Sequence, residues 1–483
     1  MYLEISLVVT SYLLVYSSRN VLTSASAYLI EKDTITKNTY AIMQTCALAS
    51  IFVCKLVSGF IAEKISRHRK NGFGRLIALY LAIPLLNTLA MFALVYLGTQ
   101  LLSGHVAQNA IIATFVLSYT VLKVMSSSFA RPFAIQMFHT ITEKAAARRA
   151  NAHRNADVER VRFARLGSLL QVAACLGDMM GKVLLGSLLQ SSRLLRYAAD
   201  HRYVTWAMPL LTVASVGALA IPVVILLFAL QQHNKTPQYH FLNTTTTSES
   251  NDGRTSRTIL RELFQNKRFN LSLFVSIANA AISIALTTYL SHFMAFVLKF
   301  DSANVTRMDA ITPLVVMVVI ALGSYMMTRL QHARQRVTHC LIVPYAVSFI
   351  CVMAVVYMLH NQSHHRIIEL RYWYLALLFL FNAFFYFTNC LIDGAYLMLH
   401  VQPKDASIAA GLISGTGYIG AIIVPFCIAP FSTSLLGWLK ILYCVGAVQL
   451  IVIMSLVALQ QLDIKARKPS KQKFRRPMMK QSL

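Results

Sequence analysis

Long runs of apolar residues, separated by short basic loops, dominate this sequence. The first run extends from about residue 5 to residue 30, and several later runs also exceed 18 residues. A helix needs about 20 apolar residues to cross the hydrocarbon core of a bilayer. Only 13% of the 483 residues are charged, which is low for soluble domains. We therefore predict an all-α polytopic membrane protein, and expect no removable signal peptide because the first run is too long for one.

Twelve spans can be assigned to the chain. The predicted spans are 5–30, 40–62, 76–102, 107–140, 166–190, 205–230, 271–298, 308–328, 338–360, 372–400, 406–431 and 436–461. We expect an N-terminal six-helix bundle over 1–230, a cytoplasmic linker over 231–265, a C-terminal six-helix bundle over 266–462 and a basic cytoplasmic tail over 463–483. Two six-helix halves with basic loops at matching places are the layout of the major facilitator fold, although another twelve-helix fold remains open from this pattern.

Basic residues set the predicted orientation. The loops after spans 2, 4 and 8 and the C-terminal tail are rich in lysine and arginine, and a twelve-span layout puts them all on one side. Because positively charged loops stay cytoplasmic, we expect both termini there, with the plasma, inner or organelle membrane left open. The opposite side carries the weaker exceptions Arg193, Arg196 and Arg202.

The formal net charge of +27 comes from these loops and the tail. We expect them to contact anionic lipid headgroups, and we expect no nucleic-acid partner. The eight cysteines are dispersed without a CxxC pair, which predicts neither a metal site nor a disulfide framework. No P-loop, HExxH or GxSxG motif is present, so we expect no enzyme, no cofactor and no metal.

Arg19 is the ionisable residue nearest the centre of a predicted span. A continuous helix over 5–30 would place Tyr12, Tyr16 and Arg19 on one face. An arginine at membrane depth is unfavourable by at least about 2.5 kcal/mol, so it usually faces a bundle interior or a wet cavity. Its guanidinium group fits a phosphate or a carboxylate. These residues predict an anion site or, in the competing interpretation, an arginine that pairs with a carboxylate to hold helices together.

Other polar residues inside the spans are further candidates. Lys55 could line the site or extend toward the cytoplasmic headgroups. Asp178 and Lys182, four residues apart, could neutralise each other on one helix. Asp393 could be a counter-ion or a proton carrier. The remaining candidates are Thr287, His292, Lys123 and Arg131; a histidine at such a position is more often a core residue than a ligand.

Two stretches of the chain match a known family. The first reads Tyr12-x3-Tyr16-x2-Arg19-Asn20 and continues in span 2 as Lys55-x3-Gly59-Phe60-Ile61-Ala62-Glu63-Lys64-x2-Arg67. The second runs from Pro403 to Ala421 and contains the signature Gly417-Tyr418-Ile419-Gly420. Together they resemble the organophosphate:phosphate antiporters of the major facilitator superfamily, such as the glycerol-3-phosphate and hexose-6-phosphate transporters.

The resemblance implies roles for residues in two regions. Arg19 would bind the substrate phosphate, beside Lys55 and the two tyrosines Tyr12 and Tyr16. A cytoplasmic gate motif would consist of Gly59, Glu63, Lys64 and Arg67. The second arginine of that family, in span 7, would fall near Leu286, but residues 269–298 contain no arginine or lysine. The implied site is therefore asymmetric, with Arg19 as its single strong anchor.

These features favour a secondary active transporter that works by alternating access. The predicted substrate is a small organic anion, first of all a sugar phosphate or glycerol 3-phosphate exchanged for inorganic phosphate, and the carrier is expected to be a monomer. The predicted binding residues are Arg19, Lys55, Tyr12, Tyr16, Thr287, His292 and Asp393. Two alternatives remain open: a proton-coupled carrier of a carboxylate or another solute, with Asp393 or Asp178 as the proton site, and a non-transporting sensor or scaffold.

Overall fold

A computed structural model describes residues 2–24, 36–66, 72–103, 108–147, 156–189, 204–233, 256–330, 334–392 and 406–465. Within these ranges twelve long helices follow one another and no strand occurs. They are α1 (Tyr2–Ser17), α2 (Lys37–Ser66), α3 (Gly72–Ser103), α4 (108–147), α5 (Ala156–Leu189), α6 (204–233), α7 (267–297), α8 (Ser302–Leu330), α9 (Arg334–Asn361), α10 (Arg371–Cys390), α11 (Ala406–Ile428) and α12 (Leu435–Lys465). Nine of the described segments are long and apolar enough to cross a membrane. The predicted all-helical architecture is confirmed.

The first helix ends earlier than the sequence predicts. A continuous helix over 5–30 is wrong, because α1 ends at Ser17 and Arg19 lies in a turn before the short helix Val21–Ser24. The hydroxyl groups of Ser17 and Ser18 donate to the carbonyl oxygens of Leu14 and Val15, at 2.7 and 3.2 Å. Side chains that bond to the backbone in this way compete with helix continuation. Arg19 therefore projects from a turn and not from a helical face.

Two other helices contain π-turns. In α4 the π-turn Met125–Phe129 joins Gln108–Val124 to Ala130–Ala147. Pro132 follows this turn; it lacks an N–H and its ring crowds the carbonyl group four residues earlier, which favours a local change in hydrogen bonding. In α7 the π-turns Ile284–Thr288 and Phe293–Val297 flank a single helical turn. Such turns are frequent at functional sites.

Each half of the chain packs its six helices together, and two helix pairs join the halves. In the N-terminal half, α1 lies against α4, α5 and α6, and α3 packs on α4 and α6. In the C-terminal half, α9 packs on α10 and α12, and α7 on α11 and α12. The pairs α2–α11 and α5–α8 make the most extensive contacts between the halves. Because successive helices alternate in direction, the start of α1 and the end of α12 lie on one face of the bundle, here called the terminal side, opposite the far side.

A small apolar cluster lies on the terminal side. Leu263, from the helix Ser256–Gln265, packs with Phe269 of α7 and with Ile408 and Leu412 of α11. Leu56 and Phe60 of α2 pack against the same cluster. The last ten residues of the predicted linker 231–265 therefore form a helix that packs against the bundle.

Candidate anion-binding site

Arg19 lies against the ring of Tyr16, which in turn contacts Tyr12. Its guanidinium carbon is 4.8 Å from the centroid of the Tyr16 ring. The Tyr12 hydroxyl donates to the Tyr16 hydroxyl at 2.9 Å, and the two ring centroids are 4.6 Å apart. Arg19 keeps part of its accessible surface, whereas Tyr12 is 1% exposed. The Tyr16 ring therefore supports the guanidinium group from one side.

Tyr418 connects Arg19 to Lys55. The Lys55 ammonium group lies 4.6 Å from the centroid of the Tyr418 ring, and Tyr418 is a hydrogen-bond partner of both Lys55 and Arg19. These residues come from α2, α11 and the turn after α1, near the middle of the bundle. Arg19 and Lys55 of the N-terminal half thus both contact the phenol group of Tyr418 in the C-terminal half.

The glycines around Tyr418 place α11 close to α7. A Cβ atom on Gly420 would collide with the carbonyl oxygen of Ile277, and one on Gly417 would lie 3.0 Å from the Ser276 hydroxyl oxygen. The glycine edge of α11 therefore faces α7, while Tyr418 faces the two cations. This arrangement gives the Gly-Tyr-x-Gly signature a structural reason.

Lys123 holds the turn that carries Arg19. Its ammonium group donates to Asn20 Oδ1 at 2.6 Å and to Thr23 Oγ1 at 3.1 Å. Thr23 Oγ1 lies 3.2 Å from the Tyr119 hydroxyl. Lys123 is 7% exposed, and both of these partners are neutral. A third buried cation therefore lies beside Arg19.

Lys182 bridges two carboxylates from opposite halves. Its ammonium group is 3.0 Å from Asp309 of α8 and 3.4 Å from Asp178, one turn away on α5. Asp178 Oδ1 is buried and has no hydrogen-bond partner among the described residues. The residues Lys182 and Asp309 each lie seven positions from the far-side ends of their helices, about 10 Å along the axis. The pair predicted on one helix is thus also a link between the halves.

These groups form one charged cluster, made by Arg19, Lys55, Lys123, Lys182, Asp178, Asp309 and Tyr418. Within the described part of the chain, the two carboxylates pair with Lys182 and no ion pair joins Arg19 to an acid. Unbalanced positive charge in a low-dielectric interior favours an anion.

Two of the predicted binding residues lie outside this cluster. Thr287 Oγ1 donates to the Ser283 carbonyl oxygen of its own helix. His292 is 1% exposed and packs with Tyr40 and Tyr289, at centroid distances of 5.7 and 5.2 Å. Its Nδ1 lies 3.4 Å from the Ser432 hydroxyl. His292 thus belongs to an aromatic cluster that joins α2 and α7 on the far side.

The predicted gate residues are described only in part. A Cβ atom on Gly411 would lie 3.4 Å from the Lys55 carbonyl oxygen and 3.8 Å from the Gly59 Cα, so α2 and α11 are close at this point. Lys64 is exposed near the end of α2. The side chain of Glu63 and the residues Arg67 and Asp393 lie outside the described part of the chain.

The comparison with protein families agrees with this architecture. The family described as the Major Facilitator Superfamily matches residues 8–425. The chain belongs to the Major Facilitator Superfamily. This membership makes it a transporter and not an enzyme. No curated protein matches the chain.

Solved structures of other major facilitator transporters share its fold. A bacterial homologue of the iron transporter ferroportin, in an outward-facing state, has a TM-score of 0.62 and 12% identity, covering 95% of this chain and 99% of that one. The fucose:proton symporter FucP of E. coli has a TM-score of 0.58 and 13% identity, with coverage of 94% and 98%. The nucleoside transporter NupG has a TM-score of 0.56 and 13% identity, with coverage of 95% and 99%. At these identities the likeness concerns the fold alone.

Sequence reasoning missed several of the residues that surround Arg19 and Lys182. Tyr418 stands in the Gly-Tyr-x-Gly signature, but its spacing does not reveal that it meets Arg19. Asp309 is a carboxylate inside a predicted span, and that position alone marks it as a candidate. Asn20 stands in the first family stretch, but the motif does not indicate that it accepts from Lys123, and Tyr119 is an ordinary aromatic residue inside a span.

Proposed function

We propose that this chain is a secondary active transporter of a small organic anion, in the first place a phosphorylated metabolite exchanged for inorganic phosphate. The observation that carries the proposal is the Arg19 guanidinium group at mid-depth in the bundle, which has no carboxylate partner among the described residues and shares Tyr418 with Lys55. A phosphate monoester is an anion and would supply the negative charge that Arg19 lacks there. The resemblance of the Arg19 and Tyr418 stretches to organophosphate antiporters points to the same substrate class.

Arg19 would grip the phosphate, with Lys55 as the second cation. Arg19 Nε is buried and has no hydrogen-bond partner among the described residues, so an acceptor oxygen there would satisfy a donor that otherwise has none. Tyr16 would support the guanidinium plane, with Tyr12 behind it. Charge-assisted hydrogen bonds of this kind are about twice as strong as neutral ones.

Alternating access follows from the position of this cluster between the halves. The cations belong to the N-terminal half, and Tyr418 belongs to the C-terminal half. A bound anion would neutralise the cations and lower the free energy of moving the halves around it. Exchange for inorganic phosphate requires that the halves move more easily when an anion occupies the site than when the site is empty.

A second candidate function is proton-coupled transport of a carboxylate or another solute. The unpartnered Oδ1 of Asp178 favours it, because a buried carboxylate oxygen without a partner is a proton acceptor. Asp178 interacts electrostatically with Arg19, so an anion bound at Arg19 would change the electrostatic field at this carboxylate. Anion and proton would then bind together.

We also propose that both termini are cytoplasmic and that the carrier is a monomer. Basic residues concentrate on the terminal side, which supports this orientation. Anionic lipid headgroups would contact the basic loops there. We likewise propose an N-terminal bundle over 1–230, a cytoplasmic linker over 231–265, a C-terminal bundle over 266–462 and a basic tail over 463–483.

Exchange in proteoliposomes tests the function. Vesicles loaded with labelled inorganic phosphate should lose the label when glycerol 3-phosphate is added outside, with or without a pH gradient. Arg19→Gln should raise the half-saturating concentration about tenfold to a hundredfold, since a hydrogen bond to a charged group contributes about 1.5–3 kcal/mol. Arg19→Lys should recover only part of the loss, because lysine lacks the planar fork.

Lys440→Gln is the matched control, since Lys440 is an exposed cation on α12. It should exchange like the unsubstituted protein. Uptake that requires the pH gradient and disappears in Asp178→Asn would favour the second candidate. Equal loss in Arg19→Gln and Lys440→Gln would rule out a phosphate site at Arg19.

A further inference from the structure

Neutral polar side chains lie on the interior faces of α7 and α10. On α7, Phe274 is 46% exposed, and Ser283, nine positions later, lies on the opposite face of the helix. On α10, Leu380 is 45% exposed, and Asn389, also nine positions later, again lies opposite. The exposed residues mark the outer surfaces of these helices, so Ser283 and Asn389 face the inside of the bundle.

A directional chain of hydrogen bonds ends at Asn389. The Tyr345 hydroxyl donates to Asn279 Oδ1 at 2.7 Å, and Asn279 Nδ2 donates to Asn389 Oδ1 at 3.2 Å. Tyr345 and Asn279 are fully buried, whereas Asn389 keeps part of its accessible surface. The chain fixes the Asn389 amide and leaves its nitrogen as the outermost donor. Such support by buried partners is typical of an oriented binding group.

Next to this chain lies a pair of hydroxyl groups. Ser283 Oγ and the Tyr386 hydroxyl are 2.7 Å apart, and both residues are partly accessible. Hydroxyl groups both donate and accept, so this pair matches the hydroxyl groups of a ligand. The π-turn Ile284–Thr288 begins directly after Ser283, where the regular hydrogen bonding of α7 changes.

This polar surface adjoins the charged cluster. Ala280 of α7 would contact a Cβ atom on Gly417 at 3.5 Å, and Gly417 precedes Tyr418, the partner of Arg19. Ser283 follows Ala280 by about one turn, so it lies farther along a similar face. A ligand held at Arg19 would therefore have cations of the N-terminal half on one side and α7 on the other, where residues 269–298 contain no lysine or arginine.

We infer that Ser283, Tyr386 and Asn389 form a subsite for the hydroxyl groups of the substrate, so that the protein takes sugar or polyol phosphates in preference to alkyl phosphates. This inference rests on the proposed function, because it assigns the phosphate to Arg19 and the hydroxylated carbon skeleton to the C-terminal half. A site built to hydrogen-bond hydroxyl groups disfavours an analogue without them, since its polar groups then stay unpaired. The difference between the cationic N-terminal half and the uncharged, polar C-terminal half would then select phosphates that carry hydroxyl groups.

Ligand-dependent thermal unfolding of the purified protein tests the subsite. The probes are inorganic phosphate, ethyl phosphate and glycerol 3-phosphate, each titrated to give a dissociation constant. Glycerol 3-phosphate should bind about tenfold tighter than ethyl phosphate, from about two additional hydrogen bonds. Asn389→Ala and Tyr386→Phe should abolish this difference and leave ethyl phosphate within about twofold.

Tyr357→Phe and Ser215→Ala are matched controls, because both residues are exposed on other helices. They should keep the preference. If Asn389→Ala does not fold, Tyr386→Phe and Ser283→Ala decide. Equal affinity of the unsubstituted protein for ethyl phosphate and glycerol 3-phosphate, both lost in Arg19→Gln, would overturn the subsite alone. Equal loss of all three probes in Tyr386→Phe would also overturn it. Absence of binding by every phosphate would overturn the proposed function together with the subsite.

Discussion

Arg19 is in an environment that favours an external partner. Its guanidinium group has aromatic contact with Tyr16 and a phenol partner in Tyr418, but no carboxylate pairs with it among the described residues. Aromatic faces and hydroxyl groups balance only part of a buried charge. The remaining cost would decrease if an anion bound there, so in the proposed site Arg19 would contribute to affinity by gaining the negative partner that it lacks.

Substitution of Tyr418 should distinguish effects on phosphate binding from effects on the movement of the two halves. Tyr418→Phe keeps the ring against the Lys55 ammonium group and removes the hydroxyl group shared with Arg19. We expect the affinity for inorganic phosphate to change less than about threefold, since both cations remain, while the maximal exchange rate falls about tenfold because the contact between the halves is weakened. Exchange kinetics measured together with equilibrium binding check this split.

Tyr443→Phe, at an exposed position on α12, is the control and should leave both quantities unchanged. A large loss of phosphate affinity with an unchanged rate in Tyr418→Phe would mean that the hydroxyl group is a ligand and not a link between the halves.

At the scale of elements, close approach of helices positions the site. A Cβ atom on Gly177 of α5 would collide with the carbonyl oxygen of Leu13 in α1. This contact brings Asp178, the next residue, next to the segment that leads to Arg19. Glycine at such a crossing lets two helix backbones pack closely. In a bilayer, where burying apolar surface between helices gains little, this close packing is what favours helix association.

Alanine at Gly177 should therefore disturb α1. We expect Gly177→Ala to lower the free energy of unfolding by about 1–3 kcal/mol, the usual effect of overpacking, and to weaken phosphate binding through the displaced turn at Arg19. Thermal unfolding in detergent measures the first effect and titration the second. Gly74→Ala is the control, because nothing lies within 4 Å of its added Cβ atom. A stability for Gly177→Ala equal to that of Gly74→Ala would contradict the close approach.

At the scale of the whole molecule, Lys182 is shared by the two halves. It pairs with Asp178 in its own helix and with Asp309 across the interface α5–α8. If the halves separate on the far side, as proposed, the bond to Asp309 would break while Lys182 kept Asp178, so the lysine would not lose every partner. This arrangement would lower the free-energy cost of opening relative to a simple buried pair, whose loss leaves an uncompensated charge.

Removal of the charge on Asp309 should shift the balance between closed and open far sides. We expect Asp309→Asn to lengthen and broaden the distance distribution between spin labels at Ser187 and Arg307, two exposed positions near the far ends of α5 and α8. Pulsed electron paramagnetic resonance measures this distance. Asp178→Asn leaves the interhelical pair intact and should keep the short distance. Identical distributions in the unsubstituted protein and Asp309→Asn would refute a role of the pair in closure.

The sequence by itself determined the layout of this protein and its main charged candidates. The length of an apolar run can be read directly from the sequence, and bilayer thickness sets the length that a spanning helix needs. The helical spans were therefore predictable from the chain. Arg19, Lys55, Asp178 and Lys182 stood out because charge inside a span is rare. Only the tertiary structure decided that α1 ends before Arg19, that Tyr418 joins Arg19 to Lys55, and that Lys182 reaches Asp309. The spacing within one helix fixes which residues share a face, but which distant helix meets that face depends on the packing of all twelve.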